Sequence, residues 1–258
     1  MRYIHENLHA DLDFQHLAEV ACLSPFHFHR LYRAVAGETV AATLARLRLH
    51  GAAVALTKTD RPLATIARGA GYGSISAFSR AFSQANGEAP TRFRAKARSI
   101  GDHPMTEIAI KDRPACRLLV TEHHGAPHRI GEAFDRLVAW GAPRGLLGPG
   151  RVGVSLYLTS MNLPEADQRS LAGFTIEGDV ASDDPRIMPY DLPGGRHAVA
   201  RHKGPYAQIG QTWRALSTWL SANGHQPASR PAFEASLNNP RFTPPEELLT
   251  EVCIPLAD

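Results

Sequence analysis

The chain has little of what covalently stapled or metal-held folds require. Its three cysteines, Cys22, Cys116 and Cys253, are odd in number, far apart and without CxxC spacing, which argues against a disulfide framework and against a thiolate zinc site. No run approaches eighteen apolar residues, and the start Met-Arg-Tyr-Ile-His-Glu has no apolar h-region, so neither a membrane span nor a secretory leader is expected. A reducing cytoplasm fits. Catalytic groupings are equally scarce. No nucleophile has an evident base partner, His27 and His29 stand two apart and so point to different helix faces, and His123-His124 ends a strand with no carboxylate or Cys spacing to suggest zinc. No catalytic residue, metal or cofactor is expected.

A strong charge of one sign is lacking as well, since 28 Lys and Arg stand against 25 Asp and Glu. The balance is uneven along the chain. Residues 1–100 hold 13 basic and 7 acidic side chains, and the remainder 15 and 18. A basic half joined to a mildly acidic one suggests that only the first meets a polyanion. The 258 residues, 43% hydrophobic and 21% charged, are ordinary for a globular protein and suit two modest domains.

What is present is repetition. Ser24, Phe28, Arg30, Tyr32 and Gly37 return fifty positions later as Ser74, Phe78, Arg80, Phe82 and Gly87; upstream, Leu17-Ala18 and Ala21 match Ile66-Ala67 and Ala70 at an offset of forty-nine. Two copies are too few for a solenoid, so this is one small helical unit used twice. Phe14, Leu17, Ala18 and Ala21, then Phe28, Leu31, Tyr32 and Val35, follow the spacing of buried helical faces. Ser24 is placed as an N-cap, Pro25 suits the first helical position, and Gly37 and Gly87 sit where C-caps belong. Each unit thus reads as a helix-turn-helix. Between them, Val40 to Leu56 is a third helical pattern with Val40, Leu44, Leu47 and Val54 on one side, a spacer of roughly 25 Å between helices that would lie about one B-DNA turn apart, roughly 34 Å.

Opposite the inward face of the first unit stand Phe26, His29, Arg30 and Arg33. In the second unit Ser76, Ser79, Arg80 and Ser83 point outward, with Ile75 at the helix start. Arginine can take a guanine edge through two parallel hydrogen bonds, serine can bond a base or phosphate, and an exposed Phe or Ile can meet a thymine methyl. Ser-Pro-Phe-His-Phe-His-Arg-Leu-Tyr-Arg (24–33), Arg-Leu-Arg-Leu (46–49), Ile-Ala-Arg-Gly-Ala-Gly-Tyr-Gly-Ser (66–74), Phe-Ser-Arg-Ala-Phe (78–82) and Gly-Glu-Ala-Pro-Thr-Arg-Phe-Arg (87–94) resemble the DNA-binding domain of AraC/XylS-type transcription regulators. The resemblance implies an all-α domain over residues 1–98 that enters two successive major-groove segments of double-stranded DNA, with base contacts at His29, Arg30, Ile75, Ser76, Ser79 and Arg80, and RNA polymerase as a partner. Because small residues dominate around 73–77, the first unit is expected to discriminate bases more than the second.

Ser99 to Pro104 breaks the helical pattern and reads as a linker. Beyond it, residues 105–258 contain a second duplication at an offset of seventy-nine: His123, Gly125, Ile130, Gly131, Leu137 and Trp140 are answered by His202, Gly204, Ile209, Gly210, Leu216 and Trp219, with Phe134 opposite Trp213. Each copy has a strand, a helix and two further strands, giving an α+β domain built from a pseudo-symmetric pair of βαββ units. Alternation puts Val154, Leu156 and Leu158, with Phe233, Ala235 and Leu237, on an apolar face suited to the helices, and Ser155, Tyr157, Glu234 and Ser236 on the other. Two related sheets with such a polar face can form a cleft along the pseudo-twofold, where Glu234 is the carboxylate of these two strands.

Gly194 to Tyr206, Phe233-Glu234, Leu237-Asn-Asn-Pro240 and Leu248 to Leu256 resemble GyrI-like effector-binding domains. The resemblance implies a cleft that takes a small molecule, often a lipophilic cation, at a central acid, a role falling on Glu234. Ser155, Tyr157, Phe174, Tyr206 and Trp213 are the expected companions. The leading expectation is a transcription regulator whose second domain senses a small-molecule effector. A hydrolase with Glu234 as general base and a module that binds a protein partner are the alternatives.

Overall fold

The computed structural model describes residues 3–4, 7–8, 12–98, 107–148, 150–161 and 163–257; the expected linker at 99–104 lies outside them. The chain falls into two compact units that divide near residue 102.

In the first unit, helix α1 (Phe14–Val20) begins at Asp13, whose carboxylate accepts from His16 N at 2.6 Å. Helix α2 (Pro25–Ala36) is capped by Ser24, which accepts from His27 N, and stops at Gly37 with φ 74°. The second copy repeats this: α4 (Leu63–Gly69) leads to α5 (Ile75–Asn86), capped by Ser74 and ended by Gly87 with φ 73°. Both C-caps are left-handed, a conformation that costs a glycine nothing because it lacks Cβ. Phe14 meets Phe28, and Phe28 meets Tyr32, at 5.7 Å between ring centroids. The second copy packs Phe78 on Phe82 at 5.4 Å and Phe82 on Phe93 of α6 (Pro90–Arg98) at 5.2 Å.

Helix α3 (Val40–Lys58) has 19 residues and spans roughly 28 Å. The one apolar side expected for it is two sides. Val40 and Leu44 join Leu17, Tyr32 and Ala36 in the first core, while Leu49, Ala52, Ala53 and Leu56, on the opposite side by helical spacing, are also buried. A helix packed on by α2 as well as by α4 and α6 needs apolar groups all round. Tyr32 donates to Thr43 Oγ1 at 2.8 Å and Thr43 donates to Glu38 at 2.9 Å, so the buried hydroxyls of this core are satisfied. Two side chains expected inside are outside. Leu31 is 47% exposed because the buried stripe of α2 is centred on Tyr32 and Ala36, and Ala21 is exposed just past the end of α1.

The second unit runs β1 (Ile108–Arg113), β2 (Cys116–His124), α7 (Gly131–Gly141), β3 (Gly153–Tyr157), β4 (Arg169–Ile176), β5 (Ile187–Leu192), β6 (Gly195–Lys203), α8 (Ile209–Ala222), β7 (Ala232–Ser236) and β8 (Leu249–Pro255). The two βαββ copies are present, each preceded by a further strand that the alternation did not disclose. These leading strands, β1 and β5, begin at Ile108 and Ile187 and so obey the same offset. The expected two sheets are one eight-stranded sheet in the order β1-β6-β8-β7-β3-β4-β2-β5. Read from either end, this order is the same up to exchange of the copies. Each leading strand pairs with the other copy, β1 on β6 and β5 on β2.

That exchange dictates curvature. Strands β1 and β2 stand six places apart in the sheet, yet only Pro114 and Ala115 join them. Three Cα steps reach at most about 11 Å, whereas six strand spacings of a flat sheet cover about 29 Å, so the sheet must curl. Pro193 and Gly194 make the equivalent short link from β5 to β6, and the two links touch: a Cβ on Gly194 would lie 2.6 Å from Ala115 N and Arg113 O. The inner face of the curl packs on itself, gathering Leu118, Val120, Val154, Leu156, Val199, Phe233, Ala235 and Cys253 into one core. The helices cover the outer face, α7 against Leu119, Ala172 and Ile176, and α8 against Ala198, Ala200, Val252 and Ile254.

The face assignment is therefore reversed. Val154, Leu156, Phe233 and Ala235 line the inside of the curl, and Ser155, Tyr157, Glu234 and Ser236 lie on the helix side, as their pairing with Ala172, Ser170, Val252 and Thr250 requires. Alternation sorts residues into two faces but does not say which face a helix will cover. Here the sheet's own curl shields the more apolar one. Leu158 and Leu237, just past the strand ends, are exposed.

Candidate functional site

The central pair of strands brings Ser155 and Glu234 directly opposite each other, and these two are also mates under the seventy-nine-residue duplication. The pseudo-twofold therefore passes between them. From α8, Trp213 Nε1 donates to Glu234 Oε1 at 2.7 Å. Tyr157 also hydrogen-bonds Glu234, and its ring meets Trp213 edge-on at 5.5 Å. The Tyr206 hydroxyl lies 3.2 Å from Ser236 Oγ. Phe174 packs against Phe134 at 5.4 Å, and both rings border the space beside Gly153, where a Cβ would meet Phe174, Phe134 and Ser236 within 3.8 Å. Ser155, Tyr157, Phe174, Tyr206, Trp213 and Glu234 thus gather over the central strands on the helix side. Phe134, not among the expected companions, joins them, and the duplication signals it as the mate of Trp213.

Charge sets Glu234 apart. Among the described residues three carboxylates are buried: Asp135, Glu234 and Glu251. Asp135 accepts from Arg241 Nη2 at 2.9 Å, and Glu251 from Lys111 at 2.7 Å and Arg113 at 2.5 Å. Burial pushes the Glu251 carboxyl up, but the bonds from Lys111 and Arg113 outweigh it and hold the group below its ordinary value. Glu234 has neutral donors only, Trp213 and Tyr157. Burial pushes its carboxyl up and those two bonds restrain the rise. The Tyr157 hydroxyl is raised well above its ordinary range by burial and by the neighbouring Glu234, and Tyr206 is raised by burial. The Glu234 carboxyl is thus buried beside the Trp213 and Tyr157 rings with neutral hydrogen-bond donors.

In the helical unit, the second helix of each copy presents the expected outer residues unequally. Phe26, 73% exposed, and the exposed Arg30 stack, the guanidinium carbon lying 5.7 Å from the ring centroid. Arg33 is exposed, and His29 is exposed while its ring edge leans on Phe14 at 5.9 Å. In α5, Ile75, Ser76 and Arg80 are exposed, and Ser76 Oγ lies 3.1 Å from Ser74 Oγ. Ser79 and Ser83 are half-buried, since α5 sinks deeper into its core, with Phe78 and Phe82 fully buried. Among the described residues no group of three or more His, Cys, Asp or Glu is arranged to hold a metal, and no described helix is long and apolar enough to cross a membrane.

A repeated helix-turn-helix unit with exposed arginines, joined to a domain that centres a buried acid among aromatics, defines the class: a DNA-binding transcription regulator with a small-molecule-binding domain. The GyrI-like small molecule binding domain family matches residues 106–257, more than half of the chain, and the chain belongs to that family. A helix-turn-helix domain family matches residues 17–96, and this region is AraC-type. The MmsAB operon regulatory protein of Pseudomonas aeruginosa is 34% identical over 96 residues, 37% of this chain and 31% of that one. The probable transcriptional regulator YgiV of Escherichia coli K12 is 25% identical over 155 residues, 58% of this chain and 96% of that one. In fold, the chain is similar to EcmrR in a cryo-EM structure of an EcmrR-DNA complex in EcmrR-RPo, with a TM-score of 0.53 and 14% identity over 95% of this chain and 99% of that one.

Proposed function

We propose that the protein regulates transcription by linking a two-segment grip on duplex DNA to the occupancy of its second domain by a lipophilic, cationic aromatic molecule. The observation that carries this reading is the Glu234 carboxylate, buried with two neutral donors while the other buried carboxylates of the described residues have cationic partners. An effector cation would supply the missing charge, and Tyr157, Trp213, Tyr206 and Phe174 would face it. Because Trp213 already bonds Glu234, such a ligand must share or displace the indole, which gives binding a route to move α8. A ligand alters DNA affinity only through a difference in its own affinity for two states of the protein.

Residues 1–98 would form the DNA-binding domain and 105–258 the effector domain. Phe26, His29, Arg30 and Arg33 would read the first groove segment, and Ile75, Ser76, Ser79 and Arg80 would engage the second. RNA polymerase is the partner this arrangement would recruit. Calorimetry with an aromatic cation and its neutral isostere tests the effector site. The cation should bind more tightly to the native protein, and Glu234→Gln should abolish that preference; equal binding by the variant removes the acidic anchor. Turnover of the ligand, lost in the same variant, would point instead to hydrolysis.

A further inference from the structure

The inner face of the curled sheet holds a cavity of about 170 Å3 lined by Arg113, Cys116, Val154, Thr175, His197 and Ala235, among others. It lies behind the central strands, on the side away from Glu234. Most of the lining is apolar, and burial pushes the Cys116 thiol up so that it stays protonated and acts as a small hydrophobe. The charge of Arg113 is met by Glu251, and its guanidinium covers the Phe233 ring at 5.5 Å. Neither an anion nor a cation has a free partner there.

Thr175 Oγ1 accepts from Val152 N at 2.9 Å, and His197 is the other neutral polar group of the lining. It is 1% exposed, and its Nδ1 lies 2.7 Å from the Gly195 carbonyl oxygen. A carbonyl can only accept, so Nδ1 carries the hydrogen and Nε2 is left as an acceptor. Burial lowers the imidazole's proton affinity, which keeps it neutral. Among the described residues none bonds Nε2. The duplication mates of His197 and Arg113 are Leu118 and Leu192, both in the apolar core, so the polar end of the cavity exists in one copy only.

We propose that this cavity is a second small-molecule site, taking a neutral single-ring compound with one hydroxyl, a phenol, that donates to Nε2 of His197. The size fits one ring, since apolar cavities of about 150 Å3 hold benzene. Phe233 and Ala235 flank Glu234 on β7 and face the cavity, so a ring lodged there bears on the strand that carries Glu234 from behind.

The test uses the full-length protein, with phenol and benzene as probes. Phenol should shift the amide resonances of Val154, Thr175 and Ala235 and bind about fivefold more tightly than benzene, the ratio provided by one net hydrogen bond. His197→Phe should make the two equal while benzene still binds, and Ala235→Phe should block both. Because Ala235→Phe is made in a packed core, the shifts in the unaltered protein decide the matter independently. Equal affinity for phenol and benzene in that protein, or the absence of shifts at these amides at millimolar phenol, overturns the assignment.

Discussion

Ser155 and Glu234 face each other across the central strand pair and are also each other's mates in the duplication, so the domain places a hydroxyl and a carboxylate at positions its symmetry would make alike. Charge at the dyad is therefore a property of the second copy alone. Ser155→Glu would restore chemical symmetry by setting two buried carboxylates side by side. Mutual repulsion should force one of them to stay protonated, and urea unfolding at neutral pH should show a loss of about 2 kcal/mol.

The pH dependence of stability follows from Glu234. Its folded-state carboxyl is raised by burial, so the folded form binds the proton more tightly than the unfolded form does. This contribution is complete below the unfolded value of about 4.3 and is lost as pH rises through the folded value. Glu234→Gln retains an acceptor for Trp213 and removes the ionisation. Its melting temperature should exceed that of the native protein at pH 7, and the gap should close as pH falls toward about 4. A gap independent of pH would contradict the direction of the shift.

The turn of the first helix-turn-helix contains Cys22 with φ 54°, the only non-glycine residue with positive φ among those described, and the second copy has Gly71 there with φ 82°. A left-handed conformation costs a residue with Cβ roughly 1–2 kcal/mol. Cys22→Gly should accordingly stabilise the unit by about 1 kcal/mol. Gly71→Ala should destabilise it by at least as much, since the new Cβ would also lie 3.0 Å from Arg48 Nη1. Denaturant midpoints of the two variants should move in opposite directions.

Arg30 and Arg80 occupy equivalent positions, but Arg30 is stacked beside an exposed phenylalanine and Arg80 stands among serines. Arg30→Ala should relax sequence preference in a binding-site selection and weaken binding about tenfold. Arg80→Ala should weaken specific and random DNA alike and lower the salt slope by about one. Stronger sequence constraint under the second unit would reverse these roles.

Closure of the sheet can be tested at Gly194. A methyl group there meets backbone atoms of Arg113, Pro114 and Ala115 at 2.6–2.9 Å, and backbone cannot swing aside as a side chain can. Gly194→Ala should separate the two links and cost about 3 kcal/mol, read as loss of the second unit's unfolding transition or a large fall in its midpoint.

Much of this molecule was legible from local signals. Ser24, Pro25, Gly37, Ser74 and Gly87 mark helix ends because caps and left-handed stops depend on residues within one turn, and the two offsets disclosed both internal duplications. Strand alternation sets Ser155, Tyr157 and Glu234 on one face, but that Trp213 and Tyr206 join them depends on the helices covering that face, which alternation does not disclose. Phe134 was within reach by the same offset.

What tertiary structure alone decided involves partners far apart in the chain. Alternation cannot tell which sheet face a helix will cover, so it suits Val154 and Phe233 to the helices although they lie inside the curl. It cannot tell that β1 and β5 exchange copies, because register is a choice between strands and each strand's own residues suit either neighbour. The curl follows from that exchange, and at Gly194 two links meet with no room for a side chain. Caps, turns and repeat positions are settled within a few residues; pairing, curvature and the environment of a buried charge are settled only when distant segments compete for the same space.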